Sequence, residues 1–128
     1  MGEADSTATA STPGERVGPL DLTAFQTNIL AILSEEALYG LAIKRALEDY
    51  YDTEVNHGRL YPNLDTLVDE GLVAKSELDK RTNEYALTDA GEAVVRDRLG
   101  WVLSHYVTEP ERVDDVYDLL DVALGGEA

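Results

Sequence analysis

Residues 56–72 read NHGRLYPNLDTLVDEGL, and what this stretch folds into decides the architecture of the chain. Leu60, Leu64, Leu67 and Val68 recur at i, i+4, i+7 and i+8, which is one face of an α-helix. Gly71 supplies a stop signal. Pro62 falls in or near the first turn, where backbone N–H groups lack intrahelical acceptors, so its missing donor does not forbid the helix. On a helical wheel Arg59, Pro62, Thr66 and Asp69 turn away from the apolar face, with Asn63 and Asp65 on its flanks.

Two amphipathic segments precede this helix. Residues 23–34 place Phe25, Ile29, Ile32 and Leu33 on one face, and Thr23 with Gln26 forms a capping-box start. Residues 39–51 repeat the pattern with Ile43, Ala46, Leu47 and Tyr50, leaving Lys44, Arg45, Glu48 and Asp49 mainly outside. After Leu72 the period changes to that of strands. Residues 73–78 and 82–87 flank the turn Asp79-Lys80-Arg81, with Tyr85 and Leu87 inward. Thr88 then caps a helix to about residue 106. Glu109-Pro110 breaks it, and Val113, Val116, Tyr117 and Leu120 define a last short helix. The apolar residues of the long helix, Val94, Val95, Leu99, Trp101, Val102, Leu103 and Tyr106, cover more than half its circumference, wider than one core requires. A second copy is the expected cover, through Val95, Leu99, Val102, Tyr106, Val113, Val116, Tyr117 and Leu120.

The predicted fold is mainly α with a small β-hairpin: a winged helix-turn-helix plus C-terminal dimerisation helices. Its divisions are a disordered acidic leader (1–19), the winged helix-turn-helix (20–91), dimerisation helices (92–122) and a tail (123–128). The leader is rich in Ala, Ser, Thr, Gly and Glu and has neither the basic start nor the apolar run of a signal peptide. With 128 residues, 44% of them hydrophobic, the chain can bury one modest core. No stretch approaches the roughly 18 consecutive apolar residues of a membrane span, so no membrane association and a cytoplasmic location are expected. The absence of cysteine excludes a disulfide framework, thiolate catalysis, thiolate metal ligation and thiol sensing.

Tyr39-Gly40, the block from Gly58 to Leu64 (GRLYPNL), Glu70-Gly71-Leu72, and Tyr85-Ala86-Leu87-Thr88-Asp89-Ala90-Gly91 resemble the PadR-like regulators in order and spacing over about residues 22–106. Gly-Leu followed by Leu-Thr-x-x-Gly occurs in many winged helices; the Leu-Tyr-Pro block narrows the likeness. The resemblance implies a homodimeric, sequence-specific regulator of transcription, repression being the usual outcome, on double-stranded DNA. Some relatives respond to a small hydrophobic effector near the dimer interface; this sequence names none. The likeness extends to haloarchaeal members with a stress-response role, for which this cysteine-free chain offers no thiol.

A recognition helix presents its N-terminal residues to the major groove, where Arg pairs with guanine and Asn with adenine. Asn56, His57, Arg59, Asn63 and Thr66 are therefore the candidate DNA-reading residues, Arg59 foremost. The competing readings are that Asn56 only caps the helix, that Asn63 is a solvated polar residue, and that His57 is an ordinary surface histidine. Lys80 and Arg81, adjacent at the hairpin tip, are the candidate wing contacts; the alternative is a solvated charged turn. Trp101 suits core or dimer packing better than a ligand pocket. His105, Glu109 and Glu111 are groups that helix ends carry routinely, and neither a metal nor an organic cofactor is expected.

The net charge of −16 argues against a polyanionic partner unless salt suppresses it. At molar salt the Debye length falls to about 3 Å, so a basic cluster needs only local dominance. The acidic excess runs through the whole chain, which fits a protein of a very salty cytoplasm, with salt ions bound at the DNA interface. Six of the ten basic residues fall between Tyr39 and Gly91, but eleven carboxylates share that span, so the fold must sort the signs. An enzyme has little support: no cysteine, no Gly-rich phosphate loop, and two distant histidines. A winged-helix protein–protein adaptor without DNA binding is the alternative, favoured by the charge and opposed by Arg59, Asn63, Lys80 and Arg81. Replacing Arg59→Ala and Arg81→Ala together is expected to abolish promoter binding, read by fluorescence anisotropy, and to leave a dimer intact by light scattering; unchanged binding would refute the assigned surface.

Overall fold

The structure, a computed structural model, describes residues 22–79 and 82–125. Helix α1 (Ala24–Leu33) opens with the predicted reciprocal cap: Gln26 N donates to Thr23 Oγ1 and Thr23 N to Gln26 Oε1, both at 3.1 Å. It buries Phe25, Ile29, Leu30 and Leu33. Strand β1 (Leu38–Tyr39) leads directly into α2 (Gly40–Tyr51), which buries Ile43 and Leu47. The helix starts one residue later than the sequence predicts because Tyr39 is claimed by the sheet. Tyr50, expected inward, is 72% exposed at the end of α2. Asp52 ends that helix in the left-handed region at φ 57°.

Helix α3 (His57–Asp69) includes Pro62 and buries Leu60, Leu64 and Leu67 completely. Gly71, at φ +79°, turns the chain where a side chain would be strained. Strands β2 (Val73–Glu77) and β3 (Asn83–Leu87) form the predicted hairpin, in register Val73↔Leu87 to Glu77↔Asn83. Leu78 and Thr82, counted in the strands from the sequence, belong to the turn: Leu78 N donates to Thr82 O at 2.8 Å. The sheet has three strands, order β1-β3-β2, because Leu38 and Tyr39 pair antiparallel with Tyr85 and Glu84. A two-residue strand is too short to leave a period-2 signal in the sequence.

Thr88 joins wing to helix. Its Oγ1 accepts from Gly91 N at 3.0 Å and donates to Gly71 O at 2.7 Å, while its own N–H donates to Leu72 O at 3.1 Å. Helix α4 (Asp89–Tyr106) starts here. The first compact unit runs to Val95 and holds the core, in which α1, α2, α3, the sheet and Val94 bury a continuous apolar cluster. The second unit begins at Arg96 and comprises the remainder of α4 and helix α5 (Pro110–Ala123). Within it Arg112 Nη1 donates to Tyr106 O at 3.1 Å and the guanidinium lies 4.6 Å from the Tyr106 ring centre. No residue of α5 is buried. Among the described residues no helix is long and apolar enough to cross a membrane.

Gly91 is the tightest joint of the first unit. A Cβ there would collide with Leu72 O and lie 2.6 Å from Leu87 Cδ1. Gly91→Ala must push the start of α4 off the hairpin and is expected to cost about 1–3 kcal/mol, as overpacking of a filled site does. A thermal melt in matched salt should show a Tm several degrees below wild type.

Candidate nucleic-acid interface

Everything presented to solvent by α3 follows from the burial of its leucine face. Arg59, Pro62, Asp65, Thr66 and Asp69 are exposed, and His57 is exposed in the first turn. The signs are sorted along the helix. Its first turn has no carboxylate, and acids enter only at Asp65, Asp69 and Glu70. The N-terminal half, the part that a major groove admits, is therefore the non-acidic half.

The side chains of this half are held in place. Asn56 Oδ1 accepts from Gly58 N at 2.6 Å, so the capping role weighed for it is present. His57 stacks on Tyr61, ring centres 5.6 Å apart and planes within 8°. Arg59 spreads its guanidinium over Phe25, 3.9 Å from the ring centre. That contact occupies one face of the guanidinium, and its N–H groups point outward in the plane of the cation. Asn63 is half-buried: it accepts from Gln26 Nε2 at 2.9 Å and donates to Arg59 O at 2.7 Å. Thr66 Oγ1 donates back to Pro62 O at 3.0 Å. Lys80 and Arg81 lie outside the described residues; on either side of them Thr82 N donates to Asp79 Oδ1 at 2.9 Å.

Lys44, counted from the sequence among the basic residues of the domain, is engaged by Glu48 Oε2 at 2.7 Å. The same oxygen accepts from Val55 N at 2.9 Å, tying α2 to the segment that enters α3. The Lys44 ammonium, the Val55 N–H, and the charges of Lys44 and Arg45 hold the Glu48 carboxyl below its ordinary value of 4.5, against a smaller opposing effect of burial. Arg45 and Lys75 are exposed.

A groove of about 390 Å³ opens beside α3, lined by Tyr39, Gly40, Leu41, Tyr61, Thr82, Asn83 and Tyr85. At its wall Tyr61 packs directly on Gly40, where a Cβ would sit 2.5 Å from the Tyr61 hydroxyl. Burial pushes the Tyr85 phenol above its ordinary 10.0, helped by the charge of Asp65 and by Tyr61, with the Asn83 hydrogen bond opposing. Tyr39 is 49% exposed at the rim of the groove. Sequence reasoning missed the supporting role of Phe25 and Gln26. They read as core and cap, and nothing in their spacing couples Phe25 to Arg59, 34 positions on, or Gln26 to Asn63, 37 positions on.

In the second unit the predicted dimerisation residues Leu99, Val102, Tyr106, Val113, Tyr117 and Leu120 are exposed, and Val116 is half-buried; Val95, half-buried, ends the first unit. Leu119 and Val122 on α5, not assigned from the sequence, are exposed as well. Trp101 is 56% exposed, its ring beside His105 and Arg98. Among the described residues no group of three or more His, Cys, Asp or Glu is placed to hold a metal ion.

Three helices, a strand-paired wing and a cation-bearing, acid-free start to the third helix define a winged-helix DNA-binding protein. The Transcriptional regulator PadR-like family matches residues 29–97, and the chain belongs to that family, one of transcriptional regulators and not of enzymes. The chain is similar to the complex structure of hsRosR-S1, with 61% identity and a TM-score of 0.80 over 84% of this chain and 96% of that one. RosR of Halobacterium salinarum, in the form grown from NaBr, is 62% identical with a TM-score of 0.80, over 82% of this chain and 96% of that one. This likeness places the acidic composition among halophilic relatives. F93 from STIV, a winged-helix DNA-binding protein, shares the fold at 18% identity and a TM-score of 0.52, over 66% of this chain and 87% of that one. No curated protein matches the chain.

The Glu48 clasp is directly testable. Its carboxyl, followed by NMR, is expected to titrate below 4.5, and Lys44→Met should move the midpoint upward. Because the folded value is lowered, the stability it contributes is present above the ordinary carboxylate range. It is lost as pH falls through the folded value.

Proposed function

We propose that the protein acts in the cytoplasm as a homodimer that binds pseudo-palindromic promoter sites at high salt and represses transcription. The observation carrying the DNA-reading part is the arrangement of α3: a fully buried leucine face leaves Arg59 and Thr66 exposed, with Asn63 on its flank and Asn56 and His57 at the acid-free start of the helix. Lys80 and Arg81 at the wing tip would add contacts to the backbone or minor groove. The dimer reading is supported by the exposed Leu99, Val102, Tyr106, Val113, Tyr117 and Leu120, joined by the half-buried Val95 and Val116. Such a concentration of apolar surface is what obligate interfaces are made from. Two recognition helices related by a two-fold axis then meet half-sites about one helical turn, roughly 34 Å, apart.

With a net charge of −16 the complex is expected to be ion-linked, cations lying between protein carboxylates and phosphates. The usual steep loss of affinity with rising salt should then be flattened or reversed in sign. No organic cofactor or resident metal enters this reading. The adaptor alternative is disfavoured by Arg59 lying exposed at the head of α3.

The test is a titration of the protein into fluorescent fragments of its genome, its own promoter included, at about 2 M and about 0.2 M KCl, the flanks of the screening argument. Anisotropy should give saturable binding to particular fragments at high salt, with light scattering giving a dimer. A folded dimer that binds no fragment at either salt would put the adaptor reading in its place.

A further inference from the structure

Gln26 sits in α1, is only 9% exposed, and reaches across to the recognition helix. Its side chain is one link in a hydrogen-bond relay with a fixed direction. Thr23 N–H donates to Gln26 Oε1 at 3.1 Å, Gln26 Nε2 donates to Asn63 Oδ1 at 2.9 Å, and Asn63 Nδ2 donates to Arg59 O at 2.7 Å. Both ends are main-chain groups that cannot exchange roles: an amide N–H only donates and a carbonyl oxygen only accepts. Neither side-chain amide can rotate by half a turn without setting two acceptors or two donors against each other. The relay therefore dictates the orientation of Asn63.

That orientation matters for reading bases. Asn63 has two N–H donors and two oxygen lone pairs, and the relay takes one of each. One donor and one acceptor remain, the pair that an adenine edge accepts and donates to in the major groove. A reversed amide would offer the opposite order along the same edge. We propose that Gln26 is a positioning residue for base specificity, acting from outside the recognition helix by fixing the direction of the Asn63 amide. The proposal rests on α3 being the DNA-reading helix.

Gln26→Glu isolates the effect. A glutamate at this position still accepts from Thr23 N–H and completes the capping box, so α1 keeps its start. It cannot donate to Asn63 Oδ1. The Asn63 amide then either reverses, and loses its bond to Arg59 O, or hangs without its second partner. Gln26→Met removes the same donor without adding charge.

The full-length protein, the two variants and Asn63→Ala would each be used to select sites from a randomised duplex library at about 2 M KCl. Affinities would then be measured for the wild-type site and its single-base-pair variants. Both Gln26 variants should lower the preference for the wild-type base pair under Asn63 by about tenfold, the scale of one bidentate contact. Preferences at the other positions should stay unchanged. In the Asn63→Ala background, adding Gln26→Glu should not change the base preference further. A uniform affinity loss with unchanged base preference, or full additivity with Asn63→Ala, would overturn the positioning role while leaving α3 as the DNA-reading helix. Failure of the wild-type protein to select any site would overturn both.

Discussion

The constraint on which the structure depends is the burial of one face of α3. Leu60, Leu64 and Leu67 have no exposed surface, and each contributes about 1.5–3 kcal/mol by leaving water. Because the helix cannot rotate without exposing them, the residues between them are committed to the opposite side. α1 and strand β2 at the base of the wing contact α3, and α2 shares the same buried cluster. Gly71 and Thr88 then close the route from α3 through the hairpin to α4. The candidate surface is thus a by-product of core packing, and its precision is inherited from the core.

A second layer of organisation is polar. Gln26, Asn63, Asn56 and Glu48 each satisfy a backbone or side-chain partner at the edge of α3, so the candidate interface is braced before any ligand arrives. Bracing reduces the ordering cost of binding, which an acidic protein meeting an acidic polymer can ill tolerate. It also redistributes charge: Lys44 is spent on Glu48, leaving Arg59 as the exposed cation on α3. The PadR-like architecture is retained here on a chain whose net charge would by itself repel DNA.

Most of the fold was legible in the sequence because helices with one buried face write a 3.6-residue period. The capping box at Thr23, the hairpin, the Thr88 cap and the α3 face all followed from such local signals. What escaped was either very short or non-local. β1 spans two residues, and Leu30 and Tyr50 departed from the simple wheel because α1 is enclosed more widely and α2 ends in solvent. The ties from Phe25 to Arg59 and from Gln26 to Asn63 join separate helices, and no spacing rule within one segment encodes them. The candidate site residues on α3 were readable as types, an arginine and amides at a helix start. Their mutual bonding was not. The assigned wing residues Lys80 and Arg81 fall outside the described residues.

The central claim is that the N-terminal half of α3 reads DNA. Amide chemical-shift mapping of the isotope-labelled protein against a duplex from its own promoter, at molar KCl, addresses it residue by residue. The account predicts that the largest changes fall at residues 56–66 and at the hairpin tip, with α5 little affected. Changes concentrated on the second unit, or spread evenly over the surface with α3 unmoved, would contradict it.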